Sequence, residues 1–384
     1  MNASRFSTAL TVALATLFIT AANRATALQQ EASASFAPAL EEAVRDEMTR
    51  QEAVGVAVGV IKDGEVAWIG CFGWADRENR IPVSRDTMFR WASISKPLTA
   101  IAATQLADAG ELDLDADVRT LVPEFPDKGD PLTTRQLLGH LGGVVHYRNG
   151  EVIKTQRKHD VEHPYEDVVL ALDTFKESPL VSKPGADYSY TTHGFILASA
   201  VVQRAGGSPF HEQVRERISH KIGLETLQPD YQWKKIPHRA IGYRKTRSGR
   251  DADTEPGVVR STDTDVSWKL GGGGFISNID DLAEFAAALD DASFITPAMH
   301  EMLFTRQKTG SGKSTGYGMG FGVSSRGGAK IVSHTGAQEK TRSMLEFSPD
   351  TGDGIVVFTN SEYVDIREFV QAIRKSLSGT PERR

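Results

Sequence analysis

A serine placed three residues before a lysine is a candidate for acyl transfer, and Phe89-Arg-Trp-Ala-Ser93-Ile-Ser-Lys96-Pro-Leu-Thr-Ala100 contains such a pair. Ile94, Leu98 and Ile101 share one helical face, and Pro97 is tolerated only in a first turn, so the spacing predicts a helix that starts near Ser93. Ser93 and Lys96 then lie one turn apart on the same side, with the hydroxyl at the positive end of the helix dipole. A serine hydroxyl becomes a nucleophile when a neighbouring base takes its proton. A lysine serves as that base when burial or nearby cations lower its pKa. Taken alone, the pair also reads as a capping serine and a surface lysine.

The elements that must position this pair read as strands at both chain ends. Gly55 to Ile61 and Glu65 to Ile69 flank Lys62-Asp63-Gly64, a hairpin signal. Arg342 to Phe347 and Gly354 to Thr359 form a second pair around Pro349-Asp350-Thr351-Gly352. Glu41 to Gln51 reads as a helix. So does the C-terminal stretch with Ile366, Phe369, Val370, Ile373 and Leu377 on one stripe. This predicts an α+β fold: one antiparallel sheet made from both chain ends and flanked by helices, with a mostly helical region at roughly 100–270 set between the sheet halves. The polar runs Val145 to His163 and Gln232 to Asp265 read as long surface loops of the kind that border sites.

The 384 residues carry a formal charge of −6, with acids and bases mixed along the chain. A nucleic-acid binder would show a basic face, so no nucleic-acid partner is expected. Arg5, the apolar run Ala9 to Ala22 and Ala25-Thr26-Ala27 form the pattern of a signal peptide over 1–27, leaving one catalytic domain over 28–384. Its removal takes the charge from −6 to −8, because Arg5 and Arg24 leave and no acid does. An exported chain with no membrane span is expected, periplasmic or secreted. The single cysteine, Cys71, excludes an internal disulfide and reads as a packed small residue.

"FRWASISKPLTA", "LADAGELDLDADV" and "VPEFP" together resemble the serine β-lactamase and penicillin-binding-protein family. The branch is that of class C β-lactamases, D,D-peptidases and related esterases. Pro184-Gly185-Ala-Asp-Tyr-Ser-Tyr190-Thr-Thr192-His-Gly194-Phe195 matches its second landmark, with Thr192 where Asn is usual. His334-Thr335-Gly336 matches its third, and "WKLGGGGFISNIDDLAEF" another recurrent segment. "SISK", the Tyr-Thr-Thr triplet and "SHTG" together are similar to a branch that includes the mitochondrial β-lactamase-like protein of animals and its bacterial relatives.

The resemblance implies roles. Ser93 is the acylated nucleophile, Lys96 its proton acceptor or electrostatic partner, and Tyr190 a member of the proton relay. Thr192, His334, Thr335, Gly336 and Ala337 are substrate-binding, with the N–H groups of Ser93 and Ala337 forming an oxyanion hole. Thr192 in place of Asn removes an amide from the substrate's reach, which weakens the expectation of efficient β-lactam hydrolysis. The expected function is an exported serine hydrolase working through an acyl-enzyme, without cofactor, on small-molecule or peptide substrates: β-lactams, D-amino-acid peptides or small esters. The alternative is a non-catalytic or weakly active binding protein that self-associates on the same fold.

Other candidates read as structure. His140, His146, His159 and His163 lack a metal-hydrolase pattern, and no metal is expected. Ser277 before Asp280 reads as a helix cap, and Gly271 to Gly274 as a tight turn beside the pocket. Gln307 to Gly318, QKTGSGKSTGYG, imitates three signatures at once. Its phosphate-loop match lacks the first glycine, its G-x-S-x-G lacks a preceding strand, and its KTG comes before the YGMGFGV strand instead of after it. It reads as a flexible Gly/Ser loop.

Overall fold

The computed structural model describes residues 36–247, 251 and 256–379. The expected signal segment, 1–27, lies outside the described residues. Helix α1 covers 36–51. Asp63 and Gly64 both take positive φ, 53° and 76°, the mirror-image turn that matches the twist of a hairpin. The chain reverses there between β1 (Gly55–Lys62) and β2 (Glu65–Asp76), the latter running well past the expected Ile69. The short β3 (Ile81–Pro82) closes that edge. From the other chain end come β4 (Gly322–Arg326), β5 (Ala329–Gln338), β6 (Thr341–Ser348) and β7 (Asp353–Thr359). The sheet order is β3-β2-β1-β7-β6-β5-β4, antiparallel throughout. Its centre is the pairing of β1 with β7, Val56 opposite Thr359 and Ile61 opposite Gly354, so the two chain ends do build one sheet.

Both faces of that sheet are covered, which is why β1 is apolar along almost its whole length. Val56, Val58 and Val60 face α1 and the C-terminal helix α5 (Ile366–Gly379), packing with Leu40, Val44, Phe369, Val370 and Ile373. Ala57, Ile61, Leu345, Phe347 and Phe358 face the main core. A register shift between Val60 and Ile61 breaks the alternation against β2. Into the main core pack α2 (Ser95–Asp108), α3 (Thr192–Gly206) and α4 (Ile279–Ala287). Burying one such aliphatic or aromatic side chain contributes about 1.5–3 kcal/mol.

The region at 100–270 is less helical than its pattern suggests. Apart from α2, α3 and a continuous helical stretch at 210–222 with a π turn in its middle, its helices are single turns, and 145–163 has no regular structure. Within 232–265 lies a small hairpin, Tyr243–Lys245 against Val258–Arg260. No helix among the described residues is long and apolar enough to cross a membrane.

Candidate active site

The approach to Ser93 is braced from two sides. Phe89–Arg90 pairs with Ile276–Ser277, and Trp91 N donates to Phe275 O at 2.9 Å. The Trp91 indole, wholly buried, donates to Ser277 Oγ at 2.6 Å. From β6, Ser343 Oγ donates to Trp91 O and Thr341 Oγ1 to Arg90 O. Ala92 then takes φ 49°, a left-handed conformation that costs a non-glycine residue about 1–3 kcal/mol. A single 3-10 turn, Ala92–Ile94, carries Ser93, and α2 starts at Ser95. The helical structure therefore starts near Ser93, as the spacing predicts, but Ser93 sits inside the 3-10 turn and its side chain caps nothing.

Lys96 is fully buried in the first turn of α2. Its Nζ lies 3.0 Å from Ser93 Oγ, 3.2 Å from Thr192 Oγ1 and 2.8 Å from Gly272 O. These are neutral partners, so burial, aided by the charge of Lys269, holds the amine well below the usual lysine range. A free amine beside a hydroxyl is what a general base requires. The ring of Tyr190 lies under the same nitrogen, 4.9 Å away. Burial raises the Tyr190 phenol, and contact with Ser93 opposes that rise. Thr192 is the first residue of α3, whose cap is Thr191, accepting from Gly194 N. Glycine 272 has to be small, because a Cβ there would stand 2.6 Å from Thr192 Cγ2.

Strand β5 supplies the opposite wall. Thr335 and Ala337 line the cleft beside Ser93. Gly336 allows β5 to lie on the segment that carries Ser93: a Cβ would meet Ser343 Oγ, Trp91 O and Ala92 Cβ. His334, expected to bind substrate, is not among the residues that line the cleft. Its ring is 6% exposed, with Nδ1 2.8 Å from Thr335 O and Nε2 2.9 Å from Tyr317 OH. A carbonyl only accepts, so Nδ1 carries the proton and Tyr317 donates to Nε2. Burial pushes His334 down to about 3, a neutral ring behind the cleft wall.

The cleft holds about 780 Å³ and brings together Ser93, Tyr190, Thr192, Thr335 and Ala337, with Gly272 and Gly273 at its base. His146 and Tyr147 border it from the 145–163 loop, and Arg247, Thr264 and Asp265 from the 232–265 loop. Lys269 also lines it, 8% exposed, its pKa lowered by burial to about 8. A hollow of similar size, about 800 Å³, lies between α1 and β2 around Met48, Trp74 and Arg77, far from this chemistry.

Several contributors were invisible in the sequence. Tyr317 sits at the end of the tempting QKTGSGKSTGYG stretch, and its only signal was an aromatic among glycines. That stretch is a loop tied back by Gly310 N to Gly185 O and Thr309 N to Lys313 O. The carbonyl of Gly272 belongs to one helical turn, Leu270–Gly273. Lys269 stood before the glycine run without a recognisable spacing. The cap of α4 is Asn278, accepting from Asp281 N, and not Ser277, which serves Trp91. Cys71 is half-buried, its thiol pushed up to about 11 by burial. His159 faces Asp173 while His163 stacks on Trp233, and no cluster of metal-ligating residues occurs among the described residues.

The chain is similar to known proteins over most of its length. It is 31% identical over 299 residues to the human serine beta-lactamase-like protein LACTB, mitochondrial, covering 62% of this chain and 53% of that protein. It thus spans about half the length of that relative. It is 25% identical to penicillin-binding protein 4* of Bacillus subtilis, over 82% of this chain and 69% of that one. D-amino acid amidase from Ochrobactrum anthropi superposes with a TM-score of 0.74 at 21% identity, over 90% of this chain and all of that one, which shows a shared fold. The Beta-lactamase family model matches residues 40–375. By that match the chain belongs to the Beta-lactamase family.

Proposed function

We propose that the chain is an exported serine hydrolase that forms an acyl-enzyme at Ser93 of its S-x-x-K motif. The observation that carries this is the 3.0 Å approach of Ser93 Oγ to a buried Lys96 amine held below the usual lysine range. In this reading Lys96 takes the Ser93 proton as Oγ attacks a substrate carbonyl. The N–H groups of Ser93 and Ala337 receive the developing oxyanion. Tyr190, beside both Ser93 and Lys96, gives its phenol proton to the leaving group and takes up the proton held by Lys96. Water then releases the acyl group by the reverse route. Thr335 and Ala337 form one wall for the substrate, and the role first assigned to His334 becomes support of that wall.

The substrate class is amides or esters: β-lactams, D-amino-acid peptides or small esters. Relatives named D-aminopeptidase and esterase support that range. The export pattern of residues 1–27 supports a periplasmic or secreted location. The test is labelling with a fluorophosphonate and a fluorescent penicillin, wild type beside Ser93→Ala. Labelling by the fluorophosphonate that disappears in Ser93→Ala is expected. Labelling that survives moves the nucleophile elsewhere, and folded wild type that takes no label favours a self-associating binding protein.

A further inference from the structure

We propose that His146 is a specificity-determining residue that donates a hydrogen bond from Nε2 to a carbonyl oxygen on the acyl side of the substrate. The preferred substrates are then acyl donors with an amide next to the scissile bond, such as N-acylated amino-acid esters and amides, over simple alkyl esters. This rests on the acyl-enzyme reading of the site.

By the resemblance, Thr192 stands where an amide side chain would meet a substrate carbonyl, yet it is only 3% exposed and its Oγ1 lies 3.2 Å from Lys96 Nζ. The hydroxyl is engaged with the base. The main-chain N–H of the same residue donates to His146 Nδ1 at 3.1 Å. A backbone N–H only donates, so Nδ1 is unprotonated and the ring proton of a neutral His146 sits on Nε2. The ring is neutral, because burial brings it down to about 4. Among the described residues Nε2 has no hydrogen-bond partner, and the ring lines the cleft together with Ser93 and Tyr190.

His140 shows that the Nδ1 bond alone does not make such a site. It accepts from Thr191 N at 3.2 Å in the same way, but its Nε2 is buried against Tyr190, Phe195 and Tyr317. The two rings hold consecutive N–H groups at the start of α3, and of the two only His146 lines the cleft. The His146 ring is held in place by Tyr147, with centroids 4.0 Å apart, and by the edge of Tyr190 at 5.7 Å. A preorganised donor of this kind distinguishes a substrate with a matching acceptor from one without it.

The test compares kcat/KM for the p-nitrophenyl esters of N-acetylglycine and of a straight-chain acid of the same length, using the full chain. The glycine ester removes any question of chirality. In His146→Phe the ratio of the two values is expected to fall about tenfold, the size of one hydrogen bond. His146→Asn keeps an acceptor for Thr192 N and a donor, and is expected to recover part of the ratio. A ratio in His146→Phe within twofold of wild type overturns the proposal, as does His146→Asn behaving like His146→Phe. Should His146→Phe not fold, nitrogen NMR on the Ser93→Ala protein decides: the His146 Nε2–H resonance is expected to move with N-acetylglycinamide and not with butyramide, and no movement overturns the proposal. Fluorophosphonate labelling of wild type separates the two levels. Labelled protein with an unchanged ratio sinks only the His146 role, and unlabelled protein sinks both.

Discussion

Lys96 and Lys269 are two buried lysines of one cleft, and the charge of the second helps to hold the first unprotonated. Like charges in a dry site disfavour each other's protonation. Activity that needs the free amine of Lys96 is lost as pH falls through its pKa. Replacing Lys269 with Met removes a neighbouring cation, so the Lys96 pKa rises. The acid limb of the kcat/KM profile is then expected to move to higher pH. A limb that stays in place, or moves the other way, breaks the link between the two amines. In wild type the support from Lys269 fades above pH about 8, where it loses its own proton.

Tyr317 and His334 make a second testable pair. Tyr317→Phe keeps the ring in its buried place but takes away the donor to His334 Nε2. Leaving a buried acceptor without its partner costs about 1–3 kcal/mol. Urea unfolding is expected to show that loss as a lower midpoint with an unchanged slope. An unchanged midpoint would mean that the ring nitrogen reaches water or another donor.

Gly336 sets how closely β5 approaches the segment that carries Ser93. In Gly336→Ala the new methyl would stand 2.5 Å from Trp91 O and 3.0 Å from Ala92 Cβ. Such contacts force the strand away by a few tenths of an ångström at least, at a cost of about 1–3 kcal/mol. The fluorophosphonate labelling rate is expected to drop by about a hundredfold or more, since the N–H of Ala337 moves with the strand. A labelling rate close to wild type would show that Ala337 does not contribute to the oxyanion site.

What was legible in the sequence was local. The Asp63-Gly64 turn and its flanking apolar runs specify the hairpin through neighbours only. The stripe of Ile366, Phe369, Val370 and Ile373 specifies α5 in the same manner. Ser93 and Lys96 were legible because one helical turn fixes their separation. What was not legible depends on contacts between distant segments. The three partners of Lys96 come from positions 93, 192 and 272, and one of them is a backbone carbonyl that no side chain advertises. His334 reads as a site residue in its triplet, and the donor that turns it into a support lies 17 positions earlier. Ser277 and Asn278 are both good caps, and only the indole of Trp91 decides between them.

The pairing of β1 with β7 has a kinetic side. Val56 meets Thr359 only after a loop of roughly 300 residues has closed. Contacts of such separation are slow to form. The serine and its lysine belong to the early part of the chain, while Ala337 and the strand that carries it arrive late. A ribosome-bound chain thus holds a finished α2 sequence but not the strand that carries Ala337. Catalytic competence should appear in one step with closure of the sheet, so that refolding followed by acylation and refolding followed by β-sheet signal share one time course.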